Sequence, residues 1–297
     1  MIVLVTGANG FVGHYIVEAL LKAGHRVKAW DITFVDDYSR GAEKISGDIL
    51  DKKTRASALA GCDVVIHACY FHDTAATKRH FELNTVGSWE LLKCAVESGV
   101  KYFIFLSTYL LYSPERTHAG PFVENDAVFG KDFYTANKLA VESYCRAFEA
   151  CSDLKCIILR LAAVYGIRRD WDVLSRLPYS RQMMLAVENK SIEVYGQSPL
   201  IWAGDVAKSI VAILGEPEAA SDVYNVVDIN LKWHDCAEKI VEITGSSSNI
   251  VSVRSPHQPI MVNGSKLLNN LNLKFVGLKG FEGFLKKLRG KIACEQF

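Results

Sequence analysis

A glycine-rich turn between an apolar run and a helical pattern dominates the first 31 residues of the chain. The run at residues 2–5 has the composition of a buried strand, and the segment TGANGFVG at residues 6–13 follows it directly. Apolar residues then recur at helical spacing as far as Gly24, and a second strand at residues 27–30 ends at Asp31. This order of strand, glycine turn, helix, strand and acid is typical of a dinucleotide-binding unit in a parallel sheet.

Each glycine of the turn has a physical role in such a unit. Gly7 lets the chain turn tightly out of the strand, and Gly10 has no side chain to keep a pyrophosphate from the backbone. Gly13 lets the helix pack closely against the sheet, while the first helical amides and the positive end of the helix dipole favour phosphate. Asp31 follows Gly10 by 21 residues, where a carboxylate can bind a ribose 2′-hydroxyl.

The same acid predicts the choice of cofactor. Asp31 would repel a 2′-phosphate, and no arginine occupies the two positions after it. We therefore expect NAD rather than NADP.

Composition and charge exclude several classes of function. Of the 297 residues 49% are hydrophobic, enough for one large core, and the formal net charge is +1, with no basic run or acidic tail to suggest nucleic acid. The longest apolar stretches have strand length, so we expect no membrane span, and the first strand begins without a charged leader.

The cysteines show no C-x-x-C pair. We expect a cytoplasmic protein with no metal site. Six cysteines in or beside predicted strands and helices should be small buried hydrophobes: Cys62, Cys69, Cys94, Cys145, Cys151 and Cys156.

Strands and helices alternate along the first half of the chain. Further strands are predicted at residues 43–47, 63–68, 102–106 and 156–161, and helices at residues 52–59, 81–98 and 133–150. The alternation predicts an α/β fold, a Rossmann doubly wound parallel sheet with a smaller C-terminal substrate-binding domain. We assign residues 1–166 to the NAD-binding domain, to which residues 203–228 return, and residues 167–202 and 229–297 to the smaller domain.

A tyrosine and a lysine suggest the chemistry. Tyr134 and Lys138 lie four residues apart on one face of a predicted helix, where the ammonium would lower the pKa of the phenol and make it a base. Thr108 follows the fifth strand at the ligand-binding edge, where its hydroxyl could hold a substrate oxygen. This spacing also occurs by chance in surface pairs, but the glycine turn and the Ser107-Thr108 pair at a strand end favour a catalytic site.

Over about residues 1–230 the chain resembles an extended short-chain dehydrogenase/reductase of the NAD-dependent epimerase/dehydratase family. The family motif T-G-x-x-G-x-x-G matches residues 6–13, its acid after the second strand matches Asp31, and its Asp-hydrophobic pair matches Asp48 and Ile49.

Four further segments support the resemblance. The family's His-Leu-Ala-Ala appears as HACY at residues 67–70, and N-x-x-G matches residues 84–87. Counting back four residues from Tyr112 places the catalytic hydroxyl at Thr108. The R-P-x-x-V-Y-G segment appears as RLAAVYG at residues 160–166, with leucine replacing the proline.

The resemblance implies NAD as cofactor and a set of roles. Tyr134, as phenolate, would take a proton from a carbinol while hydride moves to the nicotinamide, Lys138 would lower the tyrosine pKa and bind the nicotinamide ribose, and Thr108 would position the reacting oxygen. The implied cofactor-binding residues are Gly7, Asn9, Gly10, Phe11, Val12, Gly13, Asp31, Asp48, Ile49, Ala68, Cys69, Tyr70, Asn84, Ser107, Tyr134, Lys138 and Leu161.

Two departures from the family pattern limit the reaction and the substrate. Leu110 and Leu111 follow Thr108-Tyr109, so the Thr-Asp-Glu set of sugar-nucleotide 4,6-dehydratases is absent. Residues 196–205 are shorter than in typical nucleotide-sugar epimerases and lack the arginine that often grips the diphosphate. Candidate substrate contacts are Tyr109, Arg168, Arg169 and Trp202, with packing in the smaller domain as the alternative for Trp202 and a solvated pair as the alternative for the arginines.

Three functions stay open on the sequence. The first is a sugar epimerase, acting on a nucleotide-linked sugar by transient carbinol oxidation. The second is an NAD-dependent dehydrogenase or ketoreductase with net turnover on a sugar, a steroid-like alcohol or a small hydroxy acid. The third is a nucleotide-sensing protein without catalysis, which the intact Thr108, Tyr134 and Lys138 disfavour.

We also expect a homodimer. The helices predicted at residues 81–98 and 133–150 carry apolar residues on more than one face, and the surplus could pair across a two-fold axis as a four-helix bundle. The resemblance points the same way. The apolar residues are Leu83, Val86, Leu91, Leu92 and Ala95 on the first helix, and Phe133, Leu139, Ala140, Tyr144 and Phe148 on the second.

Overall fold

A computed structural model describes residues 1–34, 40–72, 78–112, 120–167, 178–217, 222–254 and 260–295, with side chains as far as Ile292. The strands are β1 (Ile2–Thr6), β2 (Arg26–Asp31), β3 (Glu43–Ser46), β4 (Val64–His67), β5 (Tyr102–Thr108), β6 (Lys155–Leu161), β7 (Ala163–Tyr165), β8 (Ile192–Val194), β9 (Gln197–Trp202), β10 (Val223–Val226), β11 (Ile229–Lys232) and β12 (Ile250–Ser252). The helices are α1 (Phe11–Lys22), α2 (Lys52–Leu59), α3 (Lys78–Phe81), α4 (Gly87–Glu97), α5 (Phe133–Cys151), α6 (Pro178–Val187), α7 (Ala203–Gly215), α8 (Trp233–Thr244), α9 (Ser265–Asn270) and α10 (Gly277–Glu295).

Seven parallel strands form the central sheet, in the order β10-β6-β5-β4-β1-β2-β3. The chain builds outward from β1 through β2 and β3, then returns to the other side of β1 through β4, β5 and β6. Strand order therefore reverses beside β1, which opens a crevice at the carboxyl ends of β1 and β4. The predicted α/β doubly wound sheet is confirmed, and β10 returns to it beside β6 as expected.

Helices cover both faces of this sheet. Successive residues of β1 point to opposite faces, so Val3 and Val5 pack with apolar residues of α1 and α7, while Leu4 packs with those of α2, α4 and α5. Strand β5 is buried at all seven positions, as expected of a central parallel strand that is covered on both faces. The covered sheet leaves its carboxyl edge as the place for ligands.

Two element boundaries near that edge differ from the prediction. Strand β5 does not end at residue 106 but includes Ser107 and Thr108, because these residues pair with Arg160 and Leu161 of β6. The helix predicted from residue 81 begins at Lys78 and continues through a π-helical turn at Glu82–Val86 before α4. A π turn inserts an extra residue into the helical repeat, and such turns often lie at functional sites.

Two smaller sheets were not predicted. Strands β7, β9 and β11 form a three-stranded sheet, and β8 pairs with β12. A third apolar cluster joins these strands to α6, α8 and α10 through residues such as Tyr179, Ile240 and Phe284. It lies apart from the two clusters on the faces of the central sheet.

The described cysteines are free, and no helix in the described ranges is long and apolar enough to cross a membrane. Cys62, Cys145 and Cys156 are buried, as predicted, whereas Cys69 and Cys94 are only partly buried. The prediction was wrong for Cys151, which is exposed at the last position of α5.

Candidate active site

The glycine turn joins the carboxyl ends of β1 and β4. Gly7 has φ +67°, and a Cβ there would lie 2.8 Å from the backbone nitrogen of Cys69. A Cβ on Gly13 would lie 1.9 Å from the carbonyl oxygen of Gly7, so no larger residue fits at either position. Gly10 is the N-cap of α1, and the amides from Phe11 to Gly13 that follow it have no partner within the helix. The turn therefore forms a cradle of backbone amides that fits a pyrophosphate.

Asp31 lies beside this cradle. Its Oδ2 accepts a hydrogen bond from the backbone nitrogen of Asn9 at 2.8 Å, and its Oδ1 accepts one from that of Ile32 at 2.8 Å. Burial is the largest cause of a raised pKa for this carboxyl, and the two amides oppose it. The structure thus brings Asn9 and Asp31 together at the edge where the ribose of a dinucleotide fits.

Asp48 and Ile49 lie at the end of the neighbouring strand β3. Oδ1 of Asp48 accepts a hydrogen bond from the backbone nitrogen of Leu50 at 2.9 Å, and Oδ2 forms an ion pair with Nη2 of Arg79 at 2.5 Å. The sequence analysis did not identify Arg79, because no spacing links it to Asp48. Ile49 is buried, and a Cβ on Gly87 would lie 2.8 Å from its Cγ2.

The backbone after β4 completes the crevice. The backbone nitrogen of Ala68 donates to the carbonyl oxygen of Thr6 at 3.2 Å, which ties the end of β4 to that of β1. The charges of Asp31, Asp48 and Lys138 all act on the Cys69 thiol. Burial is the main reason why the pKa of this thiol rises to about 11. Cys69, two residues after the end of β4, therefore remains a neutral thiol.

Tyr134, Lys138 and Thr108 meet at the carboxyl end of β5. Asp132 caps α5 in a reciprocal capping box with Thr135, which fixes the first turn that carries Tyr134. The Thr108 side chain lies close enough to Tyr134 to lower the pKa of its phenol, and Nζ of Lys138 donates to the carbonyl oxygen of Leu106 at 2.7 Å. The structure therefore brings the predicted catalytic residues together.

The pKa of Tyr134 differs from the expectation. It is raised, mainly because the phenol is buried, and the Thr108 hydrogen bond only partly opposes this effect. Lys138 is buried as well, and its pKa falls to about 8, chiefly through burial. Its ammonium lies 4.8 Å from the ring centroid of Tyr70 and 4.9 Å from that of Phe105, so it is held by ring faces and a carbonyl.

Ser107 binds a residue that the sequence analysis missed. Its hydroxyl donates to Oε1 of Glu142 at 2.5 Å, and Glu142 is one turn beyond Lys138 on α5. Arg160 of β6 donates to the same carboxylate from Nη2 at 2.8 Å and from Nε at 3.1 Å. Both side chains of this ion pair are about 97% buried, with exposed fractions of 4% for Arg160 and 3% for Glu142. In this structure the Ser107 hydroxyl therefore positions the helix.

Asn84 has a comparable position beside the crevice. Its Oδ1 accepts from the backbone nitrogen of Phe71 at 2.8 Å, and its Nδ2 donates to the carbonyl oxygen of the same residue at 2.9 Å. The predicted cofactor contact Asn84 thus holds the backbone of Phe71 through both ends of its amide. Leu161, at the end of β6, is buried beside Thr108 in the strand register.

The predicted substrate contacts divide into three cases. Tyr109 is near Tyr134, and its hydroxyl lies 3.3 Å from that of Ser198 on β9. Trp202 packs edge-on to Tyr15, with ring centroids 6.3 Å apart, and joins the third apolar cluster, which favours the packing alternative. Arg168 and Arg169 lie outside the described residues. No group of three His, Cys, Asp or Glu side chains that could hold a metal occurs in the described part of the chain.

Comparisons with known proteins identify the family and the fold of this chain. A sequence model described as the NAD dependent epimerase/dehydratase family matches residues 3–227. The UDP-glucose 4-epimerase of Vibrio cholerae is 29% identical over 236 residues, which are 76% of this chain and 70% of that protein. The UDP-N-acetyl-alpha-D-glucosaminuronate decarboxylase of Bacillus cytotoxicus is 27% identical over 294 residues, which are 90% of this chain and 87% of that protein. The Thermus thermophilus UDP-glucose 4-epimerase, solved in complex with NAD, shares the fold with a TM-score of 0.81 at 23% identity, covering 98% of this chain and 99% of that one.

Proposed function

Because the chain belongs to the NAD-dependent epimerase/dehydratase family, we propose that it is an epimerase of a nucleotide-linked sugar. Membership makes the protein an enzyme with NAD as its cofactor, as the sequence predicted. The observation that carries the proposal is the meeting of Thr108, Tyr134 and Lys138 at the end of β5. The Vibrio cholerae relative, a UDP-glucose 4-epimerase, supports a uridine diphosphate sugar as the substrate class.

The crevice fits the cofactor at both ends. The amides from Phe11 to Gly13 would hold the pyrophosphate, Asp31 the adenosine ribose, and Lys138 the nicotinamide ribose. Asp48 and Ile49 would line the adenine. When bound, NAD would supply the acceptor for a hydride from a carbinol carbon and the donor for its return to the resulting ketone.

The chain's own residues supply the proton chemistry. Tyr134 removes the carbinol proton at its phenolate oxygen and later returns it, while Thr108 holds the same substrate oxygen. Burial disfavours the phenolate, and the Thr108 side chain is the group that lowers the pKa of Tyr134 against it. The same phenol serves both directions, which suits an epimerase because the proton taken in one half-reaction is returned in the other.

We further propose the domain division and the dimer. Residues 167–202 and 229–297 would form the substrate-binding domain, supported by the third apolar cluster. Most of the apolar residues that were expected to pair from the first helix of the bundle, such as Leu91 and Leu92, are buried in the chain's own core. The exposed rings of Phe81 and Phe133, with exposed fractions of 52% and 66%, support a dimer contact instead. A monomer mass in light scattering at tens of micromolar protein would contradict the dimer.

Conversion of UDP-sugars tests the proposed function. We expect purified protein to convert UDP-glucose or UDP-N-acetylglucosamine to its 4-epimer without added cofactor. Proton NMR of the anomeric signals measures the conversion. Steady production of NADH from added NAD and the same sugars would instead support a dehydrogenase. No conversion with any UDP-sugar would contradict the proposed substrate class.

A further inference from the structure

Tyr70 stands where the resembled family has a small residue after the fourth strand, and its ring lies in the reaction centre. It meets the Tyr134 ring edge-on, with centroids 5.0 Å apart and planes at 78°. The ammonium of Lys138 lies 4.8 Å from the centroid of the Tyr70 ring. A side chain that contacts both members of the catalytic pair also bounds the space beside them.

Resting on the proposed function, we propose that Tyr70, which the resemblance implies as a cofactor contact, acts through its hydroxyl, which donates a hydrogen bond to an acceptor oxygen of the bound dinucleotide or sugar. Either ligand could supply this acceptor, since both carry hydroxyl, carboxamide or phosphate oxygens that can accept a hydrogen bond beside the catalytic pair. His80 is the positioning residue that sets the direction of this hydroxyl.

A buried chain of side chains fixes the Tyr70 hydroxyl. Oη of Tyr70 lies 3.0 Å from Nε2 of His80, and Nδ1 of His80 lies 3.0 Å from Nδ2 of Asn137. The hydroxyl of Thr85 donates to Oδ1 of Asn137 at 2.8 Å. The exposed fractions of His80, Thr85 and Asn137 are 3%, 5% and 8%, so water competes little for these bonds.

The direction of each bond follows from the two ends of the Asn137 amide. Because Oδ1 of Asn137 accepts from Thr85, the atom that faces His80 is the donor Nδ2. Nδ1 of His80 must then be the acceptor, so the ring donates from Nε2 to Oη of Tyr70. The Asn137 side chain also hydrogen-bonds Tyr70.

The Tyr70 oxygen is therefore an acceptor toward both neighbours, and its own proton is left to donate elsewhere. Among the described residues no other side chain or backbone group bonds this hydroxyl. Burial raises the pKa of Tyr70 to about 12, which keeps the phenol protonated and able to donate. An oxygen of a ligand in the crevice beside Tyr134 is the acceptor that this arrangement fits.

The π-helical turn explains how one helix supplies these contacts. His80 precedes the turn at Glu82–Val86, and Asn84 and Thr85 lie within it. Asn84 holds the backbone of Phe71, next to Tyr70, while His80 holds the Tyr70 side chain. Asn84 and His80 thus hold the backbone of Phe71 and the side chain of Tyr70.

Binding measurements with a matched pair of tyrosine variants test the proposal. Tyr70→Phe keeps the ring and removes only the hydroxyl, and Tyr224→Phe is the control, because Tyr224 is buried in β10 with its hydroxyl bonded to Asn270. The dissociation constants of NAD, and of UDP-glucose with NAD bound, are measured by calorimetry for both variants and the wild type. We expect Tyr70→Phe to raise one of these dissociation constants about tenfold, because the variant loses one hydrogen bond to the ligand.

The ligand that weakens identifies the source of the acceptor oxygen. A change for NAD assigns the contact to the cofactor, and a change only for UDP-glucose assigns it to the sugar nucleotide. Unchanged binding of every ligand that the wild type binds would overturn the proposal. Wild-type protein that binds NAD but no UDP-sugar would contradict the proposed substrate class, and the Tyr70 contact is then decided on NAD alone.

A double-mutant cycle tests the positioning role of His80. His80→Leu should weaken the same ligand as Tyr70→Phe, and adding it to Tyr70→Phe should cause little further loss, because both remove one directed hydroxyl. If His80→Leu reduces the ligand affinity equally in the wild type and in Tyr70→Phe, the role of His80 is merely structural. That result would overturn its assignment as the positioning residue. Should His80→Leu fail to fold, His80→Gln serves in the same cycle.

Discussion

The ammonium nitrogen of Lys138 donates a 2.7 Å hydrogen bond to the carbonyl oxygen of Leu106. The next two residues of β5 engage the same face of α5, since Ser107 donates to Glu142 and the Thr108 side chain acts on the phenol of Tyr134. Three successive strand residues thus hold three helix residues spaced four apart. The strand and the helix together determine where the catalytic phenol and ammonium lie.

Lys138→Met should remove activity and stabilise the fold. The pKa of Lys138 falls from 10.5 to about 8 on folding, so the unfolded chain binds this proton more tightly than the folded chain does. The buried ammonium therefore lowers stability at neutral pH, and stability rises as pH increases from about 8 toward 10.5. We expect urea unfolding at pH 7 to show a gain of about 1–3 kcal/mol for the variant, narrowing at alkaline pH. A less stable variant at pH 7 would mean that the Leu106 bond outweighs the cost of burial.

Tyr134→Phe should abolish turnover and leave NAD binding nearly intact. The substitution keeps the ring against Tyr70 and removes only the oxygen that transfers the proton. We expect the rate to fall by about 10²–10⁴-fold, the usual contribution of a general base. Turnover and NAD affinity are measured on the same preparation. A near-normal rate would show that Tyr134 is not the base.

Glu142→Gln should destabilise the protein strongly. It leaves the guanidinium of Arg160 buried without a counter-charge, which costs about 3–5 kcal/mol in comparable pairs. Replacing both partners, with Glu142→Leu and Arg160→Met, should recover part of this free energy of unfolding. An unchanged unfolding midpoint for the single variant would show that the ion pair contributes little.

Asp31 should give a preference for NAD over NADP of about tenfold to a hundredfold, equivalent to about 1–3 kcal/mol of charge repulsion. Asp31→Asn should narrow the preference, since it keeps an acceptor for the amide of Asn9 and removes the charge. Dissociation constants for both cofactors measure the effect. Tighter binding of NADP by the wild type would contradict the prediction and point to Arg40 folding over the ribose.

Much of the fold follows from local patterns in the sequence. The strand boundaries agree with the predicted ones within two residues across β1 to β6, because buried parallel strands form continuous apolar runs between polar turns. The geometry of the glycine turn also follows from the sequence, since only glycine fits where Gly13 approaches Gly7 closely. Tyr134 and Lys138 could be paired because helical spacing places them on one face.

Contacts between distant elements could not be derived in this way. Glu142 meets Arg160 across two elements, and nothing in either local pattern selects that partner. The pairing of Tyr70 with His80 depends on a loop and a π turn that periodicity does not reveal. Trp202 shows the same limit, because an aromatic residue at a strand end suits a ligand pocket and a core equally well.

The nucleotide held by the purified protein tests the central claim most directly. An epimerase returns the hydride within one cycle, so it gains nothing by releasing its cofactor between the two half-reactions. We predict that denatured wild-type protein releases close to one NAD per chain, and that total NADH does not change when UDP-sugar is added. Protein that purifies empty and steadily reduces added NAD in the presence of the sugar would contradict the account and identify a dehydrogenase.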